Sequence, residues 1–209
     1  MADLVQLSEA LQKMDIAGVK KLTEEAIAAG IDPQKILSDG LIAGMDVAGG
    51  KFKRNEIFIP EMLVIAKAMN EALAILKPKL IEVGAKPIAK AVIGTVKGDV
   101  HDIVKNMLGM MLEGAGLEVI DLGYDVTSEK FVEAIKNVNP QILGMSALLS
   151  TTMVELPVVI DALKEAGVRD QVKVIVGGAP VTQKYADDIG ADGYGDDAAT
   201  GADVARKLI

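Results

Sequence analysis

The chain has 209 residues with one His, no Cys and no Trp, and it carries a formal net charge of −8. The lack of Cys excludes disulfide scaffolds, thiolate metal sites and Cys nucleophiles. Because there is one His, any chemistry that needs an imidazole depends on His101. Half of the residues are apolar and 3% are aromatic, which predicts a core of Ala, Val, Ile, Leu and Met. The acidic balance argues against electrostatic binding to nucleic acids or anionic membranes.

The N-terminal segment, residues 1–15, is acidic and amphipathic and does not have the pattern of a secretory signal. The longest stretch without charged residues, 137–154, contains Asn, Pro, Gln, Ser and Thr, which is unlike a membrane span. We therefore expect a soluble, cytoplasmic protein.

In residues 1–82 the apolar side chains recur at helical spacing, in four segments joined by short connections. This pattern predicts an all-α domain, a four-helix bundle. The predicted segments are a helix from Leu4 with Asp3 as its N-cap, a helix from Ile16 ending at Gly30, a helix opened by Asp32-Pro33 and broken at Gly49-Gly50, and a helix from Pro60. Gly and Pro in residues 83–90 predict a linker that serves as a hinge.

In residues 91–209 short apolar runs alternate with amphipathic segments, as in consecutive βα units. Such units predict a parallel sheet with helices on both faces. The simplest candidate is a flavodoxin-like, five-stranded domain, whose ligand crevice lies between the first and third strands. The apolar runs are 91–96, 117–122, 141–145, 172–176 and 191–194, and the helical segments are 102–115, 127–137, 153–166, 180–189 and 197–208.

The lone histidine falls in this predicted crevice, because the first strand runs into Asp99, His101 and Asp102 and the third into the hydroxyl-rich loop 146–152. A solvated loop histidine, or one that caps the next helix, is the common alternative. However, Asp99 can hold one ring nitrogen and strengthen the other as a metal donor. Neither a P-loop nor a dinucleotide fingerprint is present. A single protein nitrogen is enough only for a metal that arrives with its other ligands already in place, as in a macrocycle. The identity of such a macrocyclic cofactor stays open.

Three motifs resemble a known family. The segment from Gly98 to Asp102 resembles the Asp-x-His-x-x-Gly signature of cobalamin-binding domains, Ser146-Ala147-Leu148 resembles their Ser-x-Leu element, and Gly177-Gly178 their Gly-Gly element. The predicted bundle is similar to the helical module that precedes the cobalamin domain in methionine synthase and in corrinoid methyl-carrier proteins. The resemblance implies a bound cobalamin or related corrinoid.

The resemblance also implies roles for individual residues. His101 would replace the cofactor's own dimethylbenzimidazole and bind cobalt (base-off/His-on), while Asp99 and Thr152 would complete a proton relay. Phe52 and Ile59, in the segment 51–59 between the third and fourth predicted helices, would cap the methyl group. For their apolar neighbours Ile57 and Phe58, a plug at the end of the bundle is an equally good interpretation. The other implied cofactor contacts are Gly98, Asp102, Val104, Ser146, Leu148, Ser150, Gly177, Gly178 and Tyr194.

One position departs from the signature, because Val104 stands where the motif has its final Gly. A β-branched side chain there takes space where the family brings backbone close to the nucleotide tail of the cofactor. We therefore expect the seating of the tail, and the kind of corrinoid accepted, to differ from the family pattern.

The resemblance implies a corrinoid-binding methyl carrier that accepts a methyl group on Co(I) from a substrate-specific methyltransferase and passes it to a second methyltransferase. A reductive activation protein is a further implied partner, and the chain is not expected to be a complete enzyme alone. Two alternatives are a cobalamin-dependent sensor and the cobalamin-binding subunit of a mutase. Residues 1–82 argue against the mutase subunit, which would need only the α/β part. A flavodoxin-like module without cofactor would leave the placement of Asp99 and His101 unexplained. The methyl donor stays open among methylamines, methanol, betaines and methoxylated aromatics.

Overall fold

The computed structural model describes residues 3–209, which form two compact units. The first, the helical unit, runs up to Ile88 and includes Glu113–Gly116, whereas the α/β unit comprises Ala89–Leu112 and Leu117–Ile209. Within the described residues, no helix is both long enough and apolar enough to span a membrane.

The helical unit follows the predicted pattern of four helical stretches. Capping carboxylates begin the first three, since Asp3, Asp15 and Asp32 accept the N–H groups of Val5, Gly18 and Gln34 at 2.9–3.0 Å. Their apolar faces form a core in which Leu7, Leu11, Ile36, Leu41, Met62, Met69 and Leu76 are buried. The helices are α1 (Leu4–Gln12), α2 (Ile16–Ala28), α3 (Pro33–Lys35), α4 (Ala43–Lys53) and α5 (Ile59–Glu82), and a π-helical segment, Ile36–Ile42, joins α3 to α4.

The expected helix break at Gly49-Gly50 is wrong, because α4 continues through both glycines to Lys53. Glycine costs only about 1 kcal/mol in a helix, too little to end it, and Gly49 is buried there. Consequently Phe52 lies in the last turn of α4 and not in a loop. The following helix begins at Ile59, where the Glu61 carboxylate accepts the N–H of Phe58 at 3.0 Å.

The α/β unit has the predicted flavodoxin-like topology, a five-stranded parallel sheet in which the strands, numbered along the chain, lie in the order 2-1-3-4-5. Helices cover both faces of the sheet. A Cβ on Gly94 of the first strand would touch Phe131 in the helix over residues 128–138. The adjacent Ile93 points to the opposite face, where it contacts Gly109 in the helix over residues 103–114. The strands are β1 (Lys90–Thr95), β2 (Glu118–Asp121), β3 (Ile142–Ser146), β4 (Lys173–Gly177) and β5 (Gly193–Gly195), and the helices are α6 (Ile103–Gly114), α7 (Ser128–Val138), α8 (Glu155–Glu165), α9 (Gln183–Ile189) and α10 (Ala198–Leu208), with a 3-10 turn at Arg169–Gln171.

The carboxyl ends of four strands form one row across the sheet. Thr95 pairs with Ser146, Ser146 with Gly177, and Gly177 with Gly195. The loops that follow β1 and β3 therefore begin side by side, and these two loops carry most of the polar residues selected from the sequence.

Candidate functional site

The loop after β1 begins with a tight turn that buries a carboxylate. The Asp99 N–H donates to the Val96 carbonyl at 3.2 Å, and Gly98 within this turn has a φ of +78°, a left-handed conformation that favours glycine. As a result, the Asp99 side chain lies against the sheet with no exposed surface.

Four donors surround the Asp99 carboxylate. Its Oδ1 accepts the His101 N–H at 3.0 Å and lies 2.8 Å from His101 Nδ1. Its Oδ2 accepts the Leu148 N–H at 2.7 Å and the Thr152 hydroxyl at 2.6 Å. Burial raises the pKa of Asp99, but the hydrogen bonds from Thr152, His101 and Leu148 outweigh it and lower that pKa to about 2. Asp99 is therefore ionised at neutral pH.

This carboxylate sets the state of the His101 ring. An ionised carboxylate can only accept hydrogen bonds, so in the neutral imidazole the proton sits on Nδ1 and Nε2 presents its lone pair. The side chain is 46% exposed, and Nε2 has no hydrogen-bond partner among residues 3–209. The site thus offers one oriented nitrogen donor, backed by a buried charge.

The donor set fits a metal that brings its own macrocycle. In the described part of the chain, no group of three or more His, Cys, Asp or Glu side chains is placed to hold a metal ion. A single accessible imidazole nitrogen is nevertheless sufficient as an axial ligand, because a macrocycle fills the equatorial positions. His101 is the residue here with that chemistry.

Thr152 closes the chain of hydrogen bonds on the side away from His101. Its side chain is buried, and besides donating to Asp99 its Oγ1 lies 3.0 Å from the Leu149 carbonyl and accepts the Leu149 N–H at 3.3 Å. The structure therefore brings together His101, Asp99 and Thr152, in the order expected from the sequence.

The predicted motif residues of the next two strands border the same edge of the sheet. Ser146 Oγ lies 2.9 Å from Thr95 Oγ1, which in turn donates to the His101 carbonyl at 3.3 Å. Gly178 has a φ of +122°, and a Cβ there would lie 1.9 Å from the Ala147 carbonyl oxygen. A Cβ on Gly177 would similarly meet a backbone oxygen at 2.8 Å. Both glycines are thus required by the protein's own backbone packing.

Within residues 3–209, the remaining predicted residues form no hydrogen bond with the Asp99 carboxylate. Asp102 accepts the Asn106 side-chain amide at 3.0 Å, and Val104 is 38% exposed in the first turn of α6. Ser150 is exposed in the loop after β3. Tyr194 is half-buried in β5, where burial and then the Asp196 charge raise the pKa of its hydroxyl.

Phe52 and Ile59 belong to the helical unit. Phe52 is half-buried near the end of α4, and Ile59, the first residue of α5, is 43% exposed. Their predicted contact with the cofactor stays a prediction.

Several residues that shape the site were not selected from the sequence. Asp125 and Thr95 both bind the loop that carries His101, and Lys105, buried in α6, forms an ion pair with Asp121 at the end of β2. The position of Asp121 and Asp125 after β2 could have indicated them, because β2 is the other neighbour of β1 and its carboxyl end must lie beside the same loop.

Comparison with known families identifies the chain. The B12 binding domain family matches residues 89–203, and a second B12 binding domain family matches residues 4–77. The chain belongs to the B12-binding family. This membership confirms the resemblance drawn from the three motifs, the predicted fold and the predicted class of cofactor, cobalamin or a related corrinoid.

Relatives of this B12-binding protein span both of its units. It is 44% identical to the trimethylamine corrinoid protein 1 of Methanosarcina acetivorans, over 98% of this chain and 94% of that one. It is 42% identical to the dimethylamine corrinoid protein of Methanosarcina barkeri, over 99% and 97%. A chain in the crystal structure of the methanol:cobalamin methyltransferase complex of Methanosarcina barkeri is 31% identical, with a TM-score of 0.85 over 98% of this chain and 78% of that one.

Proposed function

We propose that this protein is a corrinoid-binding methyl carrier of a methyltransferase system. The observation that carries the proposal is the chain of hydrogen bonds from Thr152 through buried Asp99 to His101, which leaves one oriented imidazole nitrogen accessible. The presence of a helical unit in addition to the α/β unit favours this function over that of a mutase subunit, which needs only the α/β part. Relatives named as corrinoid proteins favour it over a sensor.

In the proposed site His101 Nε2 would hold the metal in place of the cofactor's own base, the base-off/His-on arrangement. A bound corrinoid supplies the cobalt on which the methyl group is carried. Asp99 holds the proton on Nδ1 and so keeps the Nε2 lone pair available. The hydrogen-bonded chain of Thr152, Asp99 and His101 would serve as the proton relay of the site.

The surrounding residues have supporting roles in this proposal. Ser146, Ser150, Gly177 and Gly178 border the space for the displaced nucleotide tail, and they remain the residues we expect to contact it. Phe52 and Ile59 are proposed to cover the methyl group and to exclude water from it.

We further propose that the methyl donor is a methylated amine and that the direct partner is an amine-specific methyltransferase. Support comes from the names of relatives that are 42–44% identical over nearly the whole chain, compared with 31% for the chain of the methanol complex. A second methyltransferase, a reductive activation protein and a cytoplasmic location remain predictions.

The test of the ligand is an absorption spectrum after reconstitution with hydroxocobalamin. The wild-type protein and a control variant in the same loop, Lys97→Ala, are expected to share one spectrum. His101→Ala is expected to lose the axial-imidazole bands and to regain them when free imidazole is added. A bound corrinoid with the same spectrum in His101→Ala and wild type would contradict axial ligation.

The test of the donor is methylation of the reconstituted, reduced protein by purified methyltransferases. An amine-specific methyltransferase with its amine is expected to methylate the bound cofactor, whereas a methanol-specific methyltransferase with methanol is expected to be at least tenfold slower. Methylation by neither enzyme, or faster methylation from methanol, would contradict the proposed donor.

A further inference from the structure

Asp125, in the loop between β2 and α7, binds the loop of His101 with both its side chain and its backbone. Its Oδ1 accepts the Gly98 N–H at 2.7 Å, and its own N–H donates to the Asp99 carbonyl at 3.0 Å. We infer that Asp125 is a positioning residue that fixes the backbone of the axial-ligand loop, so that His101 is held ready for the metal. This inference rests on the proposed function.

Few other hydrogen bonds hold the backbone of this loop within residues 3–209, and one of them joins the Thr95 hydroxyl to the His101 carbonyl. The turn that leads to Asp99 has one internal hydrogen bond, from the Asp99 N–H to the Val96 carbonyl at 3.2 Å. The Asp99 carboxylate is held from the side of β3, by Leu148 and Thr152. Asp125 holds the backbone of the same residue from the side of β2. The His101 ring is oriented by the Asp99 carboxylate, while the His101 backbone is bound by that carboxylate and by the Thr95 hydroxyl, so displacement of the Asp99 backbone would displace the imidazole.

Asp125 is itself attached to the sheet. The next residue, Val126, is buried, forms a parallel bridge with Val96 and donates its N–H to the Thr95 carbonyl at 3.0 Å. On the other side of Asp125, the Gly123 carbonyl accepts the Thr95 N–H at 3.0 Å. The two hydrogen bonds to the His101 loop therefore come from a segment that is tied directly to the end of β1.

The backbone conformation of Asp125 indicates a specific local requirement. Its φ is +53°, a left-handed conformation that Asp and Asn adopt more readily than other residues with a Cβ. The carboxylate is not the N-cap of the following helix, since α7 begins at Ser128 with Thr127 as its N-cap. The described contact of the carboxylate is the one with Gly98.

Two substitutions separate the side-chain bond from the backbone conformation. Asp125→Gly keeps the left-handed φ but removes the acceptor for the Gly98 N–H. Asp125→Asn keeps both the conformation and a side-chain oxygen at the same position. The matched pair is measured twice, first without cofactor as the exchange rate of the Gly98 amide by NMR, and then with hydroxocobalamin as the fraction of cofactor that shows the axial-imidazole spectrum.

Asp125→Gly is expected to speed Gly98 exchange by about tenfold or more, because a hydrogen bond to a carboxylate is lost, and to lower the His-bound fraction of the cofactor. Asp125→Asn is expected to stay close to wild type in both measurements. Unchanged exchange or an unchanged His-bound fraction in Asp125→Gly would overturn the inference, as would an equal loss in both variants.

The two measurements also separate this inference from the proposed function. If the wild-type spectrum does not depend on His101, axial ligation fails, and the positioning role fails with it whatever the exchange rates show. If the spectrum depends on His101 and not on Asp125, only the positioning role fails.

Discussion

Replacing Asp99 by asparagine would keep the shape of the side chain and remove one of its two acceptor oxygens. The amide oxygen can face either His101 or the pair formed by Leu148 and Thr152. If it faces His101, the Thr152 hydroxyl can turn to the Leu149 carbonyl, 3.0 Å away, but the Leu148 N–H loses its acceptor. If it faces Leu148, the amide N–H₂ lies against His101 Nδ1 and moves the ring proton to Nε2, where a metal would bind.

The size of the effect follows from the ionisation of Asp99. A pKa lowered from 3.8 to about 2 corresponds to about 2 kcal/mol of stability at neutral pH. This value already includes the hydrogen bond from the Leu148 N–H, which contributes to the lowered pKa. Asp99→Asn is therefore expected to destabilise the α/β unit by about 2 kcal/mol at pH 7. Because the folded-state pKa is lowered, the stabilisation by Asp99 is complete above pH 3.8 and disappears as the pH falls to about 2.

The assay is urea unfolding of the cofactor-free protein, followed by tyrosine fluorescence. All three tyrosines, Tyr124, Tyr185 and Tyr194, lie in the α/β unit, so the signal reports that unit alone. Asp102→Asn, in the same loop, is the matched control and is expected to cost less than 1 kcal/mol, roughly the value of one hydrogen bond. A loss in Asp99→Asn below about 1 kcal/mol, or equal to that of the control, would refute the reasoning.

Three further predictions concern neighbouring positions. Val104→Gly is expected to tighten corrinoid binding by relieving steric pressure at the start of α6, and an equal or weaker affinity in a titration would count against this. Gly178→Ala is expected to destabilise the cofactor-free α/β unit by about 3 kcal/mol in urea unfolding, because the new Cβ would strike a backbone oxygen. The control Gly190→Ala, also at a positive φ but with open space around it, should cost only about 1 kcal/mol. Asp121→Asn is expected to cost more stability than Lys105→Met, because only the former leaves the buried Lys105 charge unpaired, and the reverse order in the same assay would be decisive against it.

The topology of the α/β unit could be predicted from the sequence because each buried strand is a separate apolar run between turn residues. That topology places the ends of β1 and β3 side by side, which is why His101 and the loop of Thr152 could be paired in advance. The helical unit was less predictable. Gly49 and Gly50 resemble a helix break in isolation, yet α4 continues through both because two glycines cost too little to end a helix whose other residues are packed, with Met45 and Ala48 buried.

The glycines of the Gly-Gly element show a second limit of sequence reasoning. They were predicted only as contacts of the cofactor, yet a Cβ on Gly178 would already collide with the Ala147 carbonyl of the protein itself. Similarly, Asp125 lies 27 residues from Gly98 in an ordinary polar loop, and no local pattern distinguishes it from a solvated side chain. Contacts of this kind depend on the register of neighbouring strands, which apolar periodicity does not specify to the residue.

The hydrogen bonds around Asp99 have one consequence for binding. The His101 ring is fixed by a carboxylate that is itself fixed by Leu148 and Thr152, so the imidazole is oriented before any metal arrives. Pre-orientation lowers the entropy cost of forming an axial bond. In the proposed site, the chain's one histidine is thus a ligand that is held rigidly. Weakening any of these hydrogen bonds should reduce the share of bound cofactor that is ligated by His101 more than it reduces total binding, because the other proposed contacts with the corrinoid do not pass through Asp99.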